Sequence, residues 1–369
     1  MLEPLIEPLP SDPAAADASQ YLLRALLARV RLLRQDDVSG THRLLQPLDA
    51  PALRERLAPA VRAEVALWLG WLHAWPENRE ADRARAFNLL AEAERFFQQE
   101  LNTAGRCWVR IGRALAYLSI DEYELALQAL DEAASLKERL PDVQADGWIQ
   151  DLRVWAALLT GRYRRAEHDL DRLQTLAERL SDTLLQGHAA AYRALLEQAR
   201  GGTATAILEA ADTAEALLSG LMSPPHLLAW ARATRLATLR RQGAWNEIDR
   251  LLQRWLSDTP REMQPPLLLE GAELALLRED LDTCELLLEQ ALTTPAPVQA
   301  RLLATRAALL QARHFLARSQ PARAREWAER AYRTAQELGL EPLALEALLV
   351  LARIALAEGT LSQAQTYLQ

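Results

Sequence analysis

The strongest constraint on this chain is a helical unit that recurs about every 40 residues along its length. Its clearest copies are YLSIDEYELALQALDEAASL at 117–136, ALLTGRYRRAEHDLDRLQTL at 157–176 and TLRRQGAWNEIDRLLQRWL at 238–256. In each copy an apolar helix ends at a turn residue, and an aromatic residue follows two positions later. A small or apolar anchor residue comes three positions further on, on the same face of the next helix as the aromatic residue. The anchors of the successive copies are Thr41, Ala86, Ala126, Ala166, Ala206, Ile248, Cys284, Ala324 and Ala364.

Such a unit has room for two helices of about 16 residues and their short loops. Prolines and glycines fall between the predicted helices, and no segment alternates polar and apolar residues as a strand does. The sequence therefore predicts an all-α fold, a right-handed α-solenoid of about nine helical hairpins in which neighbouring repeats make nearly all of the contacts. We expect a proline-rich N-terminal tail at 1–18 and a single superhelix at 19–369.

The charge balance of the chain argues against a role in binding nucleic acid. The 42 lysines and arginines are outnumbered by 50 aspartates and glutamates, which gives a net charge of −8, whereas phosphate neutralisation needs a positive surface. We therefore expect no direct contact with nucleic acid. The apolar stretches are shorter than the about 18 residues that mark a membrane span, and the start MLEPLIEPLPSDP is unlike a secretory signal. We expect a cytoplasmic protein with no membrane contact.

The residue types that carry catalysis or bind metals form no known motif here. Cys107 and Cys284 make no CxxC pair, and neither GxSxG nor the phosphate-binding GxxxxGK[ST] occurs. None of the histidines forms HxxxH or HExxH. We therefore expect no metal, no cofactor and no enzymatic activity, although titratable groups clustered in a deep pocket with shifted pKa values would favour catalysis. The histidines are His42, His73, His168, His188, His226 and His314.

Two sets of residues recur in register in the first helix of four successive units. A ring occupies one position, and an arginine stands five residues after each ring. Five residues correspond to about 140° of helical rotation, so the rings and the arginines form two separate stripes along the stacked repeats. We predict both sets as candidate binding residues. They are Trp108, Trp148, His188 and Trp230, and Arg113, Arg153, Arg193 and Arg235.

Each stripe has a structural and a functional interpretation. The rings either pack between repeats, which the large buried area of tryptophan favours, or line the groove as a platform for an apolar or aromatic ligand. The arginines either form solvated or ion-paired stripes between repeats or make a cationic track for carboxylates or phosphates. Six further tryptophans are interpreted as core residues: Trp71, Trp75, Trp155, Trp245, Trp255 and Trp327.

The repeat motif is similar to that of a known superfamily. GRYRRAEHDLDRL at 161–173 and DEYELALQALDEA at 121–133 nearly follow G-x-Y-x-x-A-x-x-x-F/L-x-x-A, the second-helix pattern of tetratricopeptide (TPR) repeats. The longer unit resembles the repeat domain of the large ATP-dependent LuxR-type transcription activators, the maltose-activator family, especially at 317–368. The resemblance covers residues 19–369. It implies a TPR-like superhelix that senses an effector.

Two features depart from those regulators. The sequence shows neither a nucleotide-binding motif before the repeats nor a basic helix-turn-helix after them, and the last copy stops at Gln369, part-way through a helix. A solenoid normally ends in a polar capping element. We therefore expect that the chain is an excised fragment whose last repeat is truncated.

These observations together favour a non-catalytic recognition module, the effector-sensing repeat domain of a bacterial transcription activator. Its partner is expected to be a protein, a peptide or a small-molecule effector bound in the concave groove. The alternative is a free-standing TPR adaptor that holds protein partners, and a helical-repeat enzyme is a third, unsupported hypothesis. Oligomerisation stays open. If both stripes face the groove, the ligand combines apolar or ring surface with negative charge.

Overall fold

The computed structural model describes residues 18–35, 37–78, 81–221, 225–294 and 299–369. Within these ranges the chain forms α-helices and two short 3-10 helices and no β-strand, so the all-α prediction is confirmed. None of the described helices is both long and apolar enough to cross a membrane. Of the tail predicted at 1–18, only Ala18 lies within the described residues. The α-helices are α1 (Ala18–Gln35), α2 (Val38–Leu45), α3 (Pro51–Arg54), α4 (Pro59–Ala74), α5 (Arg83–Gln99), α6 (Thr103–Ser119), α7 (Tyr123–Lys137), α8 (Val143–Leu159), α9 (Tyr163–Leu180), α10 (Thr183–Ala199), α11 (Ala204–Leu218), α12 (His226–Gln242), α13 (Trp245–Asp258), α14 (Pro265–Leu277), α15 (Leu281–Thr293), α16 (Ala300–Ala317), α17 (Pro321–Glu337), α18 (Glu341–Ala357) and α19 (Leu361–Leu368).

The described helices pair in chain order into nine hairpins, as the repeat spacing predicts. The pairs run from α1 with α2, then α4 with α5, to α18 with α19, while α3 is a single turn between the first two hairpins. We call α4, α6, α8, α10, α12, α14, α16 and α18 the first helices and their partners the second helices. Each first helix also packs against the first helix of the next hairpin. This stacking of hairpins is that of a TPR-like solenoid.

The ends of the helices follow from local sequence. Asn102, Asp142 and Asp182 precede α6, α8 and α10, and the side chain of each accepts a hydrogen bond from the backbone N–H three residues on. The turn within a hairpin uses a residue in the left-handed region, such as Gly161 with φ 75° or Asp121 with φ 63°. The aromatic residue of the motif then begins the second helix in α7, α9 and α13, as the sequence predicts.

First and second helices differ in how much of their surface they bury. α8 buries 13 of its 17 residues, whereas α9 buries 5 of its 18. A helix that is apolar on nearly every side must be covered on nearly every side, while one with a single apolar stripe faces solvent with the remainder. The first helices therefore form the interior layer of the superhelix, and the second helices form its outer layer.

The structure corrects two details of the sequence interpretation. The anchor predicted at Ala206 is only half-buried, and Ile207 takes the buried position, because the turn Gly201-Gly202-Thr203 is one residue longer than in the preceding repeat. Trp245 is 40% exposed and is not a core residue. It begins α13 on the outer layer, where the guanidinium group of Arg278 lies 5.9 Å from its ring centroid.

The prediction that neighbouring repeats make nearly all contacts misses a set of polar contacts between distant repeats. The carboxylate of Asp121, in the turn between α6 and α7, accepts a hydrogen bond from the backbone N–H of Arg301 at 3.0 Å, across 180 residues. Gln299, the residue before α16, makes no side-chain cap of its own. Asp121 therefore caps the N-terminus of a helix five hairpins away.

Other contacts join the turns of the superhelix in the same way. The Glu77 carboxylate accepts hydrogen bonds from the backbone N–H of His226 at 2.6 Å and from its Nδ1 at 2.9 Å, across 149 residues. Arg34 of α1 donates to the backbone carbonyl of Leu180 at 3.2 Å. We refer to these and the Asp121 cap as the closing contacts. They arise because the small rotation between hairpins accumulates until the superhelix meets itself, which neighbour-only stacking does not anticipate.

A pair of turn glycines provides a test of this closure. A Cβ atom added to Gly161 would lie 3.0 Å from the ring of Pro342, in the first turn of α18, whereas one added to Gly201 meets nothing within 4 Å. Both glycines have a φ near +75°, so alanine at either position should cost about 1–2 kcal/mol from backbone strain. Gly161→Ala should cost about 1 kcal/mol more than Gly201→Ala, because it also crowds the distant repeat.

Urea unfolding measures that difference, and small-angle scattering should show a larger radius of gyration for Gly161→Ala only. Equal destabilisation by the two substitutions, with equal scattering curves, would mean that the contact between the turn before α9 and the start of α18 does not form in solution.

Candidate functional site

The four predicted ring positions all lie on first helices, and all four side chains are buried. The exposed fractions are 3% for Trp108, 2% for Trp148, 6% for His188 and 5% for Trp230. The ring centroid of Trp148 lies 6.4 Å from that of His188, and the centroid of Trp71 lies 5.6 Å from that of Trp108. Contacts with Trp71, Tyr192 and Trp155 connect the four rings into one network of tilted and T-shaped ring pairs in the interior of the superhelix.

Polar edges of this stack follow the repeat as well. The indole Nε1 of Trp108 donates to the carboxylate of Asp142, the cap of the next first helix, at 2.9 Å. Trp148 and Asp182 occupy the equivalent positions one repeat later, but the indole Nε1 and the Asp182 Oδ2 are both buried without a hydrogen-bond partner. The Nε of Arg34 lies 3.6 Å from that carboxylate oxygen. Arg34, which makes one of the closing contacts, therefore lies against Asp182, the acid equivalent to the hydrogen-bond partner of Trp108.

The four predicted arginines make a regular set of ion pairs between hairpins. Arg153 pairs with Asp131 at 2.6 Å and Arg193 with Asp171 at 2.7 Å, in each case with an acid on the second helix of the preceding hairpin. The same arrangement joins two further pairs, Arg113 with Glu94 and Arg235 with Asp212. The arginines thus connect consecutive hairpins, and none of them lines the interior cavity described below.

A double-mutant cycle tests this arrangement. Arg153→Ala and Asp131→Ala should each destabilise the protein slightly, and their coupling free energy should be about 0.2–1 kcal/mol, since the acid is 56% exposed. High salt should reduce the coupling. Urea unfolding of the four proteins measures it, and additive effects at low salt would show that this ion pair contributes nothing to stacking.

An interior cavity lies where the first helices of consecutive hairpins converge. Its walls come from α6, α8, α10 and α12, from the residues that follow α4, and from Gln299 before α16. The centres of water molecules can reach only about 40 Å³ of space between these walls. The walls are largely apolar and aromatic, with Trp75, Trp148, Trp155 and Tyr192 among them.

Two histidine–carboxylate pairs face this cavity. One is the closing contact between Glu77 and His226, and the other joins His188 Nδ1 to Asp151 Oδ1 at 3.0 Å. The side chains of His188 and Asp151 are 8% and 2% exposed. Burial disfavours the charged imidazole, but the carboxylates of Asp151, Glu77 and Asp182 together outweigh it and raise the pKa of His188. Burial also opposes ionisation of Glu77, yet the hydrogen bonds from His226 lower its pKa.

One polar atom in this cluster is left without a partner. Because a carboxylate only accepts, the hydrogen on His188 Nδ1 points at Asp151, and Nε2 is buried with no hydrogen-bond partner. Tyr192, one helical turn after His188, also hydrogen-bonds the Asp151 carboxylate, and burial followed by that carboxylate raises the pKa of the phenol well above its usual value. His188 Nε2 is therefore the atom in this cluster with unused hydrogen-bonding capacity.

Among the described residues we looked for groups that could bind a metal ion or act as a nucleophilic thiol. No three of their His, Cys, Asp and Glu side chains come close enough to hold a metal ion. Both cysteines are free and buried, and burial raises the pKa of Cys107 to about 12 and that of Cys284 to about 11, so neither thiol is activated.

Sequence reasoning selected Trp148 and His188 but missed Glu77, Asp151 and His226. A signal existed for Asp151, because it is an acid three residues after the stripe residue Trp148 and four before Trp155, on the same face of α8 as both rings. Glu77 and His226 gave no such signal, since their pairing depends on closure of the superhelix.

The raised pKa of His188 makes stability depend on pH. Its contribution to the free energy of unfolding is fully present below the unfolded-state pKa of about 6.5 and is lost as the pH rises through the folded-state value. Stability should therefore fall above pH 6.5. His73 and His314 affect stability in a different pH range. Burial lowers their pKa values, so their effect on stability lies below pH 6.5.

Urea unfolding between pH 6 and 9 measures this slope. His188→Gln should flatten it, and the exposed His168→Gln should leave it unchanged. A slope that survives in His188→Gln would assign the proton to another group.

Comparisons with known proteins agree with this architecture. No protein-family model and no curated protein sequence matches the chain. Among solved structures, NprR in complex with its cognate peptide NprX has a TM-score of 0.68 and 10% identity over 96% of each chain. A Rap protein complexed with competence and sporulation factor has a TM-score of 0.64 and 9% identity over 94% of this chain and 100% of that one. The apo quorum sensor NprR from B. thuringiensis has a TM-score of 0.62 and 13% identity, over 95% of this chain and 98% of that one. At these identities the likeness shows the fold, a TPR-like helical-repeat superhelix.

Proposed function

We propose that this chain is a non-catalytic recognition module that binds a peptide, or an extended segment of a protein, at the interior of its superhelix. The observation that carries the proposal is the cavity where the first helices bring buried rings and two histidine–carboxylate pairs together. Of the similar solved structures, NprR is described in complex with its cognate peptide and Rap in complex with competence and sporulation factor.

The energetics of the cavity support a binding role. Burying ionised groups costs several kcal/mol each unless they are paired, and apolar side chains would close the core at lower cost. Glu77, Asp151 and His188 nevertheless lie in the interior. Such groups give directional contacts to a ligand, as in most small binding sites, where a few polar groups stand in an apolar wall.

The size of the cavity limits how a ligand can enter. The accessible space of about 40 Å³ takes one small group and not a whole peptide. A peptide would therefore insert one group and lie along the first helices, or it would bind a form in which the closing contacts have opened. Because Glu77 and His226 both line the cavity and close the superhelix, ligand binding and closure involve the same side chains.

The finer proposal is that this recognition serves effector sensing in a larger bacterial transcription activator that works in the cytoplasm. The similarity of 317–368 to the sensor region of LuxR-type activators supports it. Mapping the full open reading frame in its genome tests the idea. A frame that continues into a basic helix-turn-helix supports a sensor, and a stop soon after Gln369 supports a free-standing adaptor.

The binding proposal predicts that filling the cavity blocks the ligand. Peptides selected by display against the full chain should lose at least about tenfold in affinity for Leu152→Phe, because the larger ring occupies the cavity. Leu125→Phe, on the outer helix α7 where the leucine is 40% exposed, is the matched control and should bind normally. Calorimetry measures both affinities, and circular dichroism checks that both variants are folded. Equal binding by the two variants, or no selected peptide at all, would contradict the proposal.

A second candidate function is acid–base catalysis, which the two buried histidine–carboxylate pairs favour, since titratable groups with shifted pKa values cluster at catalytic sites. Among the residues that line the cavity, the hydroxyl of Ser119 donates to the carbonyl of Ala116 and no thiol is present. Mass spectrometry of selected peptides after incubation with the chain separates the candidates: a product that disappears with His188→Gln would favour catalysis.

A further inference from the structure

Apart from its two titratable histidines, the described part of the cavity wall carries charges of one sign only. The described residues that line it include the carboxylates of Glu77 and Asp151 and no arginine or lysine. A third carboxylate, Asp182, lies close enough to His188 to raise its pKa. An anion placed in this cavity would meet carboxylates and no permanent positive charge, whereas a cation would be attracted to them.

The rings of the wall favour the same charge. Trp75 and Trp148 have centroids 5.4 Å apart, and Trp155 and Tyr192 have centroids 5.7 Å apart. The faces of such rings attract cations, and the attraction strengthens when the cation is removed from water. The chain already uses this interaction nearby, because the guanidinium group of Arg29 lies 4.5 Å from the ring centroid of Trp108.

The unpartnered nitrogen of His188 supplies a directional contact for a cation. With its hydrogen on Nδ1 facing Asp151, a neutral imidazole carries a lone pair on Nε2, which can accept a hydrogen bond from a positively charged donor. The side chain is 8% exposed and lines the cavity. The indole Nε1 of Trp148 is also without a partner, but its register partner is Asp182, so it does not argue for an acceptor in the ligand.

We propose that the cavity holds a cationic group of the ligand, an ammonium or a guanidinium, which donates a hydrogen bond to Nε2 of neutral His188 and takes the place of the proton on that ring. The proposal rests on the proposed function and names the chemistry of its ligand. For each cation that binds to protonated His188, one proton leaves Nε2 for solvent. The accessible space, about 40 Å³, matches one such head group at the end of an apolar stem. A lysine or arginine side chain, or a free peptide N-terminus, has this form.

This exchange fixes the sign of the pH dependence. Burial disfavours the proton on His188, but Asp151, Glu77 and Asp182 favour it, and the net effect raises the pKa of His188. A cation must displace that proton, so its affinity should rise with pH, up to about tenfold per pH unit, until His188 is neutral. The other charged groups that face these side chains are His226 on Glu77, Arg83 near Glu77 and Arg34 on Asp182.

Three probes of equal length test the charge of the ligand on the full chain: n-butylammonium, 1-butanol and butyrate. The chain is labelled with 5-fluorotryptophan, and the ¹⁹F resonances of Trp148 and Trp155 are assigned from Trp→Phe variants. We expect n-butylammonium to shift both resonances, with a dissociation constant that falls as the pH is raised from 6 to 9, by at most about tenfold per pH unit. Butanol should bind more weakly, and butyrate should not shift them. Calorimetry in two buffers of different ionisation enthalpy should show up to one proton released per cation bound, a measurement that needs no variant.

Two histidine variants separate the role of His188 from the general effect of removing a histidine. His188→Gln should bind n-butylammonium without pH dependence, and His168→Gln, an exposed histidine, should behave as the unaltered chain. Butyrate or butanol binding as well as the cation, affinity that falls as the pH rises, or no shift at either tryptophan would overturn the inference. A chain that binds selected peptides but not the cation keeps the proposed function and loses this ligand class. A chain that binds the cation but no peptide keeps the site and loses the peptide.

Discussion

Packing of first helix against first helix is the interaction on which the remainder of the structure depends. These helices are covered by their own second helix, by the second helix of the preceding hairpin and by the first helices on either side, so they carry apolar residues on nearly every face. Large rings fill the space between them, and small residues such as Ala114 and Ala156, both fully buried, allow close approach. The amphipathic second helices, with their ion pairs, then cover this interior as an outer layer.

Burying a charged side chain in an interior of this kind costs free energy. The charged residues found there therefore need a physical explanation. Lys137 and Asp146, at 2.7 Å between second and first helix, are a partly exposed pair of the outer kind. The Glu77–His226 pair is different, because it lies deep between repeats that are 149 residues apart. A ligand group beside that pair alters the electrostatic balance of a contact that closes the superhelix. If the proposed ligand binds here, recognition and shape would be coupled through one carboxylate, without any need for a separate relay.

Much of the fold could be predicted from the sequence because each repeat encodes its own turn and helix starts. Tyr163 and Trp245 begin second helices as expected, and the error at Ala206 came from one additional turn residue. The four rings of the predicted stripe fall on first helices as expected, and their burial agrees with packing between repeats. The acids that pair with the arginines also recur in register, so that interpretation was available. The pairing of Glu77 with His226 could not be predicted, because it depends on the accumulated rotation of several hairpins. No local sequence pattern encodes that rotation.

The cap that Asp121 places on α16 has a consequence for the order of assembly. Its carboxylate is in position as soon as the turn after α6 forms, but the N–H group it accepts from belongs to Arg301. During synthesis the ribosome must therefore add a further 180 residues before the carboxylate meets that N–H group, and until then its local partner is the hydroxyl of Tyr123. A linear array of repeats could grow hairpin by hairpin with each addition complete in itself. This chain instead has early residues whose final environment is supplied by residues far along the sequence, so its folding on the ribosome includes a late step in which distant hairpins meet.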